Sequence, residues 1–329
     1  MRSFRIMIAV VAVIGALAAA SGLISVATGA GAPAIHFRVF ARTGLRLTDI
    51  VWTGRQFLYV DNTTNRVAAA GPSGTPLAPF VRMPRQVEET RCRPSPGAHG
   101  FAAGDIYCHA PDNKIYRLSA DGKTVAVFAT LSHAPRSDGA LAFDTVGAFG
   151  FALIVATGRS GSSTSRGGAV FAIDHSGRVR RIGRYDNPGG ADEIAVAPAR
   201  FGSASGQALL AVDAGTSGSL VAMDAHGHAR TLLSLPDGPN PIVVLTRGQR
   251  PPAGAAKPGL YVTDTLSRDV YLAPESELTP FVGDVVVGSE LRGIFWVVRP
   301  HGSGVVATRL PTTLSGKAYN LEGAAYVDA

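Results

Sequence analysis

Acidic and amide side chains recur in this 329-residue chain at two kinds of place. One is the start of a short apolar run: Asp49 in "TDIVWTG", Glu88 and Glu89 ahead of "TRCRP", Asp138 in "SDGALAFD", Asp192 and Glu193 in "ADEIAVAP", and Asn240 in "NPIVVLTR". The other is the end of the run that follows, where Asp61, Asn62, His109, Asp112, Asn113, Asp213 and Asp264 stand; His133 lies shortly before Asp138. Carboxylate and amide oxygens gathered at one point suit a hard cation such as calcium, which takes about six to eight oxygen ligands. An imidazole beside them, His109 or His133, would serve as a general base. Each Asp or Asn can instead close its own turn through side-chain to backbone hydrogen bonds. Residue by residue that role suffices, whereas the set points to a site if the fold brings its members together.

The elements that must do so are short strands. "LYVTDTLSRDVYLA" reads as strand, polar turn, strand, and weaker copies occur in "RQFLYVDNTTNRVAAAGPSG", "AGDIYCHAPDNKIYRLSADG" and "QALLAVDAGTSGSLVAMDAHG". Each copy follows an apolar strand and precedes a short closing one, giving four antiparallel strands at a spacing of roughly 40 to 55 residues, the signature of propeller blades. Inner strands starting near Asp49, Glu88, Asp138, Asp192, Asn240 and Glu290 make the fold all-β, a six-bladed β-propeller formed as a single domain over 33–329. "IHFRVFART" supplies the missing outer edge of the last blade and closes the ring. A seventh blade beginning at "NLEGAAYVDA" is the alternative. In such a blade the loops joining fourth to first strands and second to third emerge on one face, so all the polar positions above converge near one mouth of the central channel.

Other patterns are weaker. His226 and His228 in "DAHGHAR" fall in a turn on the opposite face. "GRSGSS" and "GTSGS" do not match the G-x-S-x-G nucleophile turn, and "GRSGSSTSRGG" lacks the G-K-[ST] of a phosphate-binding loop; it reads as a loop over the channel mouth. The arginines of "RVRRIGR" fall on an outer strand, where charge deters sheet-to-sheet pairing. No aromatic residues interleave with them to stack bases, which argues against nucleic acid as a partner.

Residues 1–32 place Arg2 and Arg5 before a long apolar run ending in small residues, the layout of a signal peptide or, if uncleaved, of a membrane anchor. The formal charge of +7 then falls to +5 for the mature domain. The expected location is extracytoplasmic, secreted or periplasmic, with membrane attachment only if the segment is retained. In that compartment Cys92 and Cys108, facing across a hairpin centred near Gly100, are free to form a cross-strand disulfide or to remain buried thiols.

The hairpins "LYVTDTLSRDVYLA" and "LYVDNTTNRV" resemble NHL-type and gluconolactonase-type repeats. "SDGALAFD", "GPNPIVV" and "NLEGAAYVD" resemble inner-strand motifs of the senescence marker protein and gluconolactonase family. The resemblance implies six blades and a calcium ion at the channel mouth, as in lactonases and esterases that hold their metal with Glu, two Asn and Asp. Matched by motif, it implies Asp138 from the Asp-Gly pair, Asn240 from Pro-Asn and Glu322 from Glu-Gly. Here Asn240 is followed by Pro241 rather than glycine, and the Glu-Gly pair stands near the end of the chain. The candidate metal ligands are thus Asp138, Asp192, Glu193, Asn240 and Glu322. The expected function is a binding module taking a small molecule, glycan or protein at the mouth. The alternative is a calcium-dependent lactonase or esterase in which His109 or His133 assists water.

Overall fold

A computed structural model describes residues 26–28, 34–64, 66–84, 89–134, 138–246, 256–315 and 319–328. Apart from 26–28 the leader lies outside the described residues, as does Glu88. No helix among the described residues is long and apolar enough to cross a membrane.

The chain enters through β1 (Val26–Thr28) and β2 (Arg38–Arg42) and then builds four blades in sequence. Blade one is β3 (Leu47–Trp52), β4 (Phe57–Asp61), β5 (Arg66–Ala70) and β6 (Ala78–Arg82); blade two is β7 (Arg91–Pro94), β8 (Ile106–Ala110), β9 (Lys114–Leu118) and β10 (Val125–Thr130). Blade three is β11 (Leu141–Phe143), β12 (Leu153–Ala156), β13 (Arg166–Ile173) and β14 (Val179–Pro188); blade four is β15 (Gly190–Val196), β16 (Ala208–Asp213), β17 (Gly218–Met223) and β18 (Ala229–Leu235). Turn chemistry repeats along with the strands. Asp174 Oδ1 accepts from the Ser176 and Arg178 amides, and Asp224 Oδ1 from those of His226 and His228, so equivalent third-to-fourth turns of neighbouring blades close in the same way.

The last two blades interleave. The inner strand of blade five is β19 (Pro239–Val244), but the chain then crosses to blade six to make the hairpin β20 (Gly259–Asp264) and β21 (Asp269–Pro274). It returns to complete blade five with β22 (Val285–Ser289), β23 (Phe295–His301) and β24 (Gly304–Leu310), and ends as β25 (Leu321–Val327), the inner strand of blade six. The outer strand of blade six is β2, paired with β21, so both ends of the chain meet in one blade as expected. Such closure removes the open seam of the ring.

Three sequence expectations are corrected here. "LRGIFWVV" supplies the third strand of blade five rather than the inner strand of blade six. "LTPFV", which the repeat makes the short closing strand of its unit, is a helical turn, α1 (Glu275–Leu278) running into a 3-10 turn at Thr279–Phe281. "NLEGAAYVDA" opens no seventh blade, because its strand is the inner edge of the sixth. Val26–Thr28 pairs parallel to β24; the small residues Ser25 and Ala27, or Thr28 and Ala30, are where a signal peptidase would cut, and either cut would remove most or all of this added strand.

The core lies between blades. Among the described residues the buried apolar side chains form six clusters, one at each blade junction, such as Val60, Ile106 and Tyr116 between blades one and two, and Leu209, Leu233 and Trp296 between four and five. No blade buries both faces alone, which is why the ring must close to be stable. The six inner strands contact one another in ring order, β3, β7, β11, β15, β19, β25 and back to β3.

Two glycines permit that close approach. A Cβ built on Gly323 would sit 2.5 Å from Asp49 Cα, and one on Gly139, whose φ is +92°, would sit 2.1 Å from the Glu89 carbonyl oxygen. The Asp-Gly and Glu-Gly pairs therefore place an acid at the mouth and, beside it, a residue thin enough for the neighbouring inner strand.

Candidate functional site

Two arginines on β7 organise the channel. Arg91 and Arg93 are two residues apart on a strand, so both side chains leave the same face. Cys92 between them points the other way and is bonded to Cys108, its direct partner on β8. The disulfide thus joins the inner two strands of blade two immediately beside both guanidinium groups.

Arg93 holds the deeper layer. Its Nη1 donates to Asp49 Oδ2 at 3.0 Å and its Nη2 to Glu193 Oε1. Asp49 also accepts from the Ile50 and Cys92 amides at 2.9 and 2.6 Å, and Glu193 Oε2 from the Ile242 amide at 2.6 Å. Two carboxylates, one guanidinium and three amides tie blades one, two, four and five together. Burial still pushes Glu193 up to about 7, against the pull of Arg93.

Arg91 holds the layer at the mouth. Fully buried, it donates from Nη2 to Glu322 Oε2 at 2.7 Å and to Asp192 Oδ1 at 3.2 Å, and from Nη1 to the Thr48 carbonyl. Glu89 Oε2 lies 3.9 Å from the same Nη2. Burial alone would lower Arg91, but Asp192, Glu322 and Glu89 hold it protonated well above its ordinary value. Asn240 bridges the same carboxylates, its Nδ2 donating to Asp192 Oδ2 at 2.5 Å and Glu322 Oε2 at 3.1 Å. Its Oδ1 is buried without a hydrogen-bond partner.

The acids continue beyond Asp192. Asp192, Asp213 and Glu290 bring one carboxylate oxygen each within 4.8 Å of one another, and Glu89, Asp192 and Glu322 do likewise. Burial, then the charge of Asp192, raises Asp213 to about 7; burial, then Asp192 and Asp213, raises Glu290 to about 9. Glu322 is raised well above its ordinary value, first by burial and then by Glu89. The layer therefore carries more carboxylates than Arg91 can neutralise, and protons or a bound cation must make up the difference.

Asp192, Asn240 and Glu322 are brought into direct contact with one another or with a shared partner. Asp138 stands at the edge, accepting from the Ser160 amide at 2.6 Å and its hydroxyl at 2.9 Å, while the Gly161 amide donates to Asp213 Oδ2 at 2.9 Å. The Gly-Ser loop read as covering the mouth is thus fastened to two of its acids. Glu193 faces the deeper layer. His109 is fully buried on β8 with Nδ1 3.3 Å from the Ala140 carbonyl, and burial lowers it to about 4. His133 lines a groove at the rim of blades two and three. Asp61, Asp112 and Asp264 cap their own turns.

Sequence reasoning missed Arg91 and Arg93 as organisers; two arginines alternating with a cysteine in a short inner strand were the available signal. Glu290 was read as the start of an inner strand and lies instead after a second strand. Both kinds of loop emerge on the same face, so it reaches the mouth either way.

No protein-family model matches the chain, and no curated protein matches it. Among solved structures, a chain of a nidogen/laminin complex superposes with a TM-score of 0.50 at 9% identity, over 84% of this chain and 83% of that one. A protein assigned as a gluconolactonase superposes with a TM-score of 0.44 at 11% identity, over 90% and 82%. At these identities the first likeness is one of fold alone, and the second is too distant to add to it. The chain is a six-bladed β-propeller with an acid-rich channel mouth.

Proposed function

We propose that the channel mouth binds a hard divalent cation, calcium fitting best, and that the mouth so charged is the protein's site for a small oxygen-bearing ligand. One observation carries the reading: Asp192, Asp213 and Glu290 converge within 4.8 Å, only Asp192 of the three being paired with Arg91, beside a buried Asn240 Oδ1 that lacks a partner. The donor set is all oxygen, as a hard cation requires. Asp192, Asp213, Glu290 and Asn240 would hold the ion, while Arg91 pairs with Glu322 and with Oδ1 of Asp192. When bound, such an ion supplies polarisation of a ligand carbonyl or hydroxyl oxygen.

This chain's own residues set the rest. Arg91 and Asn240 fix the rotamers of Asp192 and Glu322, and Ser160 and Gly161 fix the loop over Asp138 and Asp213. Hydrolysis of a lactone or ester is the reaction such a mouth would support. His109, neutral and shut away on β8, is better suited to bracing blade two than to activating water, and His133 faces the rim; an acid of the mouth is the better base. The leader and the Cys92–Cys108 disulfide support an extracytoplasmic setting.

Calcium titration of the purified protein by calorimetry, with a parallel melt, tests the reading. Saturable one-site binding that raises Tm and is abolished in Asp213→Asn/Glu290→Gln is expected. Absence of binding at millimolar calcium above pH 8 would sink it. A lactone and ester screen with and without chelator then separates a hydrolase from a binding module.

A further inference from the structure

A separate groove lies at the outer rim, lined by none of the acids of the channel mouth. The outer strand β14 pairs with β13 through a bulge: Phe171 is opposite Arg181, Val170 opposite Gly183, and Ala169 opposite Arg184, leaving Ile182 as the extra residue. In a regular strand, residues three apart point to opposite faces. The bulge turns Arg184 onto the face of Arg181, as bulges re-aim side chains.

Both arginines line a groove of about 470 Å³ between blades two and three, completed by Thr130, Ser132 and His133 from blade two over an apolar floor that includes Phe171. No carboxylate is among the residues lining it. Neither guanidinium makes a hydrogen bond or ion pair among the described residues. Arg166, near the start of β13, is by contrast paired with Asp186 on β14 at 2.7 Å. Charge that merely protects an edge strand needs no concavity and no common face. Two unpaired guanidinium forks, two hydroxyls and an imidazole around a groove of this size match a tetrahedral oxyanion.

We infer that this groove binds a phosphate-bearing ligand through Arg181 and Arg184. A soluble phosphoester and the headgroup of an anionic lipid share that chemistry. The purified protein would be titrated with inorganic phosphate and glycerol phosphate by calorimetry at low salt. In parallel it would be floated with phosphatidylcholine vesicles with and without phosphatidylglycerol.

Saturable binding in at least one arm is expected, about tenfold or more weaker in Arg181→Gln/Arg184→Gln. The charge-matched Arg178→Gln/Arg180→Gln variant, whose side chains line the neighbouring groove of the same blade, should bind within about twofold of the parent. Phosphate binding without flotation identifies a soluble ligand; flotation that needs phosphatidylglycerol and is lost with Arg181 and Arg184 identifies a headgroup. Should the first variant fail to fold, Arg181→Lys/Arg184→Lys keeps the charge, loses the forks and should bind more weakly than the parent. Equal loss in the two glutamine variants, parent-like binding by the lysine variant, or no binding in either arm would overturn the assignment.

Discussion

Raising the pH should destabilise the metal-free protein, and Glu290 sets the scale. In the unfolded chain this carboxyl releases its proton near 4.5, whereas burial and the charges of Asp192 and Asp213 hold it in the fold to about 9. Between those limits the folded state binds one more proton than the unfolded chain, so stability is fully present below about pH 4.5 and is lost as the pH rises through 9. Asp213 acts likewise up to about 7. His109 works in the opposite sense, but only between about 4 and its ordinary 6.5, so the window from pH 7 to 9 isolates the acids.

One proton difference is worth ~1.4 kcal/mol per pH unit, hence ~3 kcal/mol across that window before solvent access to the partly exposed Glu290 trims it. At about 2 °C per kcal/mol, Tm in chelator should fall by about 5 °C from pH 7 to 9. Calcium should flatten or reverse the slope, because it binds the ionised acids; calcium at about a hundredfold over Kd adds ~2.7 kcal/mol. Differential scanning fluorimetry across this range, for the parent and Glu290→Gln, makes the test. A flat or rising Tm in chelator, or an identical slope in Glu290→Gln, would refute the charge excess at the mouth.

Arg91→Met should cost about 3–5 kcal/mol in urea unfolding at pH 8, since it leaves Asp192, Glu322 and Glu89 without their counter-charge, and the loss should shrink at pH 5 as Asp192 and Glu322, both raised by burial, protonate. Gly323→Ala should cost about 1–3 kcal/mol by thermal melt, because its Cβ has no room against Asp49. Cys92→Ser/Cys108→Ser should lose about 3 kcal/mol, the loop-closure value for residues 16 apart, and the parent should lose the same on reduction. A reduced parent as stable as the oxidised one would mean that the inner strand of blade two is held by Arg91 and Arg93 alone.

The mouth was legible in outline because its position follows from topology. Once four-stranded units repeat, the ends of inner and second strands must share a face, and Asp192, Asp213, Asn240 and Glu322 were found by that rule or by their motifs. Which of them touch was not legible. Asp61, Asp213 and Asp264 look alike in sequence, each following a second strand and accepting the amide two residues on, yet of the three only Asp213 also converges with Asp192 and Glu290. That difference depends on where neighbouring blades stand, and no local pattern records it. Arg91 and Arg93 escaped notice because a buried arginine is read as exposed until its partners, drawn here from distant blades, are known.

Local chemistry in the sequence was enough to determine most of the strands and turns, the propeller architecture and the meeting of both ends of the chain in one blade, since alternation and turn residues act over a few positions. Tertiary structure alone decided that the hairpin Leu260–Ala273 belongs to blade six. β19 and β25 are both short apolar strands able to accept it, and only the crossing of the chain between blades selects between them. It also decided the balance of charge in the channel, because burial and the summed field of six strands, rather than any residue's own type, set which acids keep their protons.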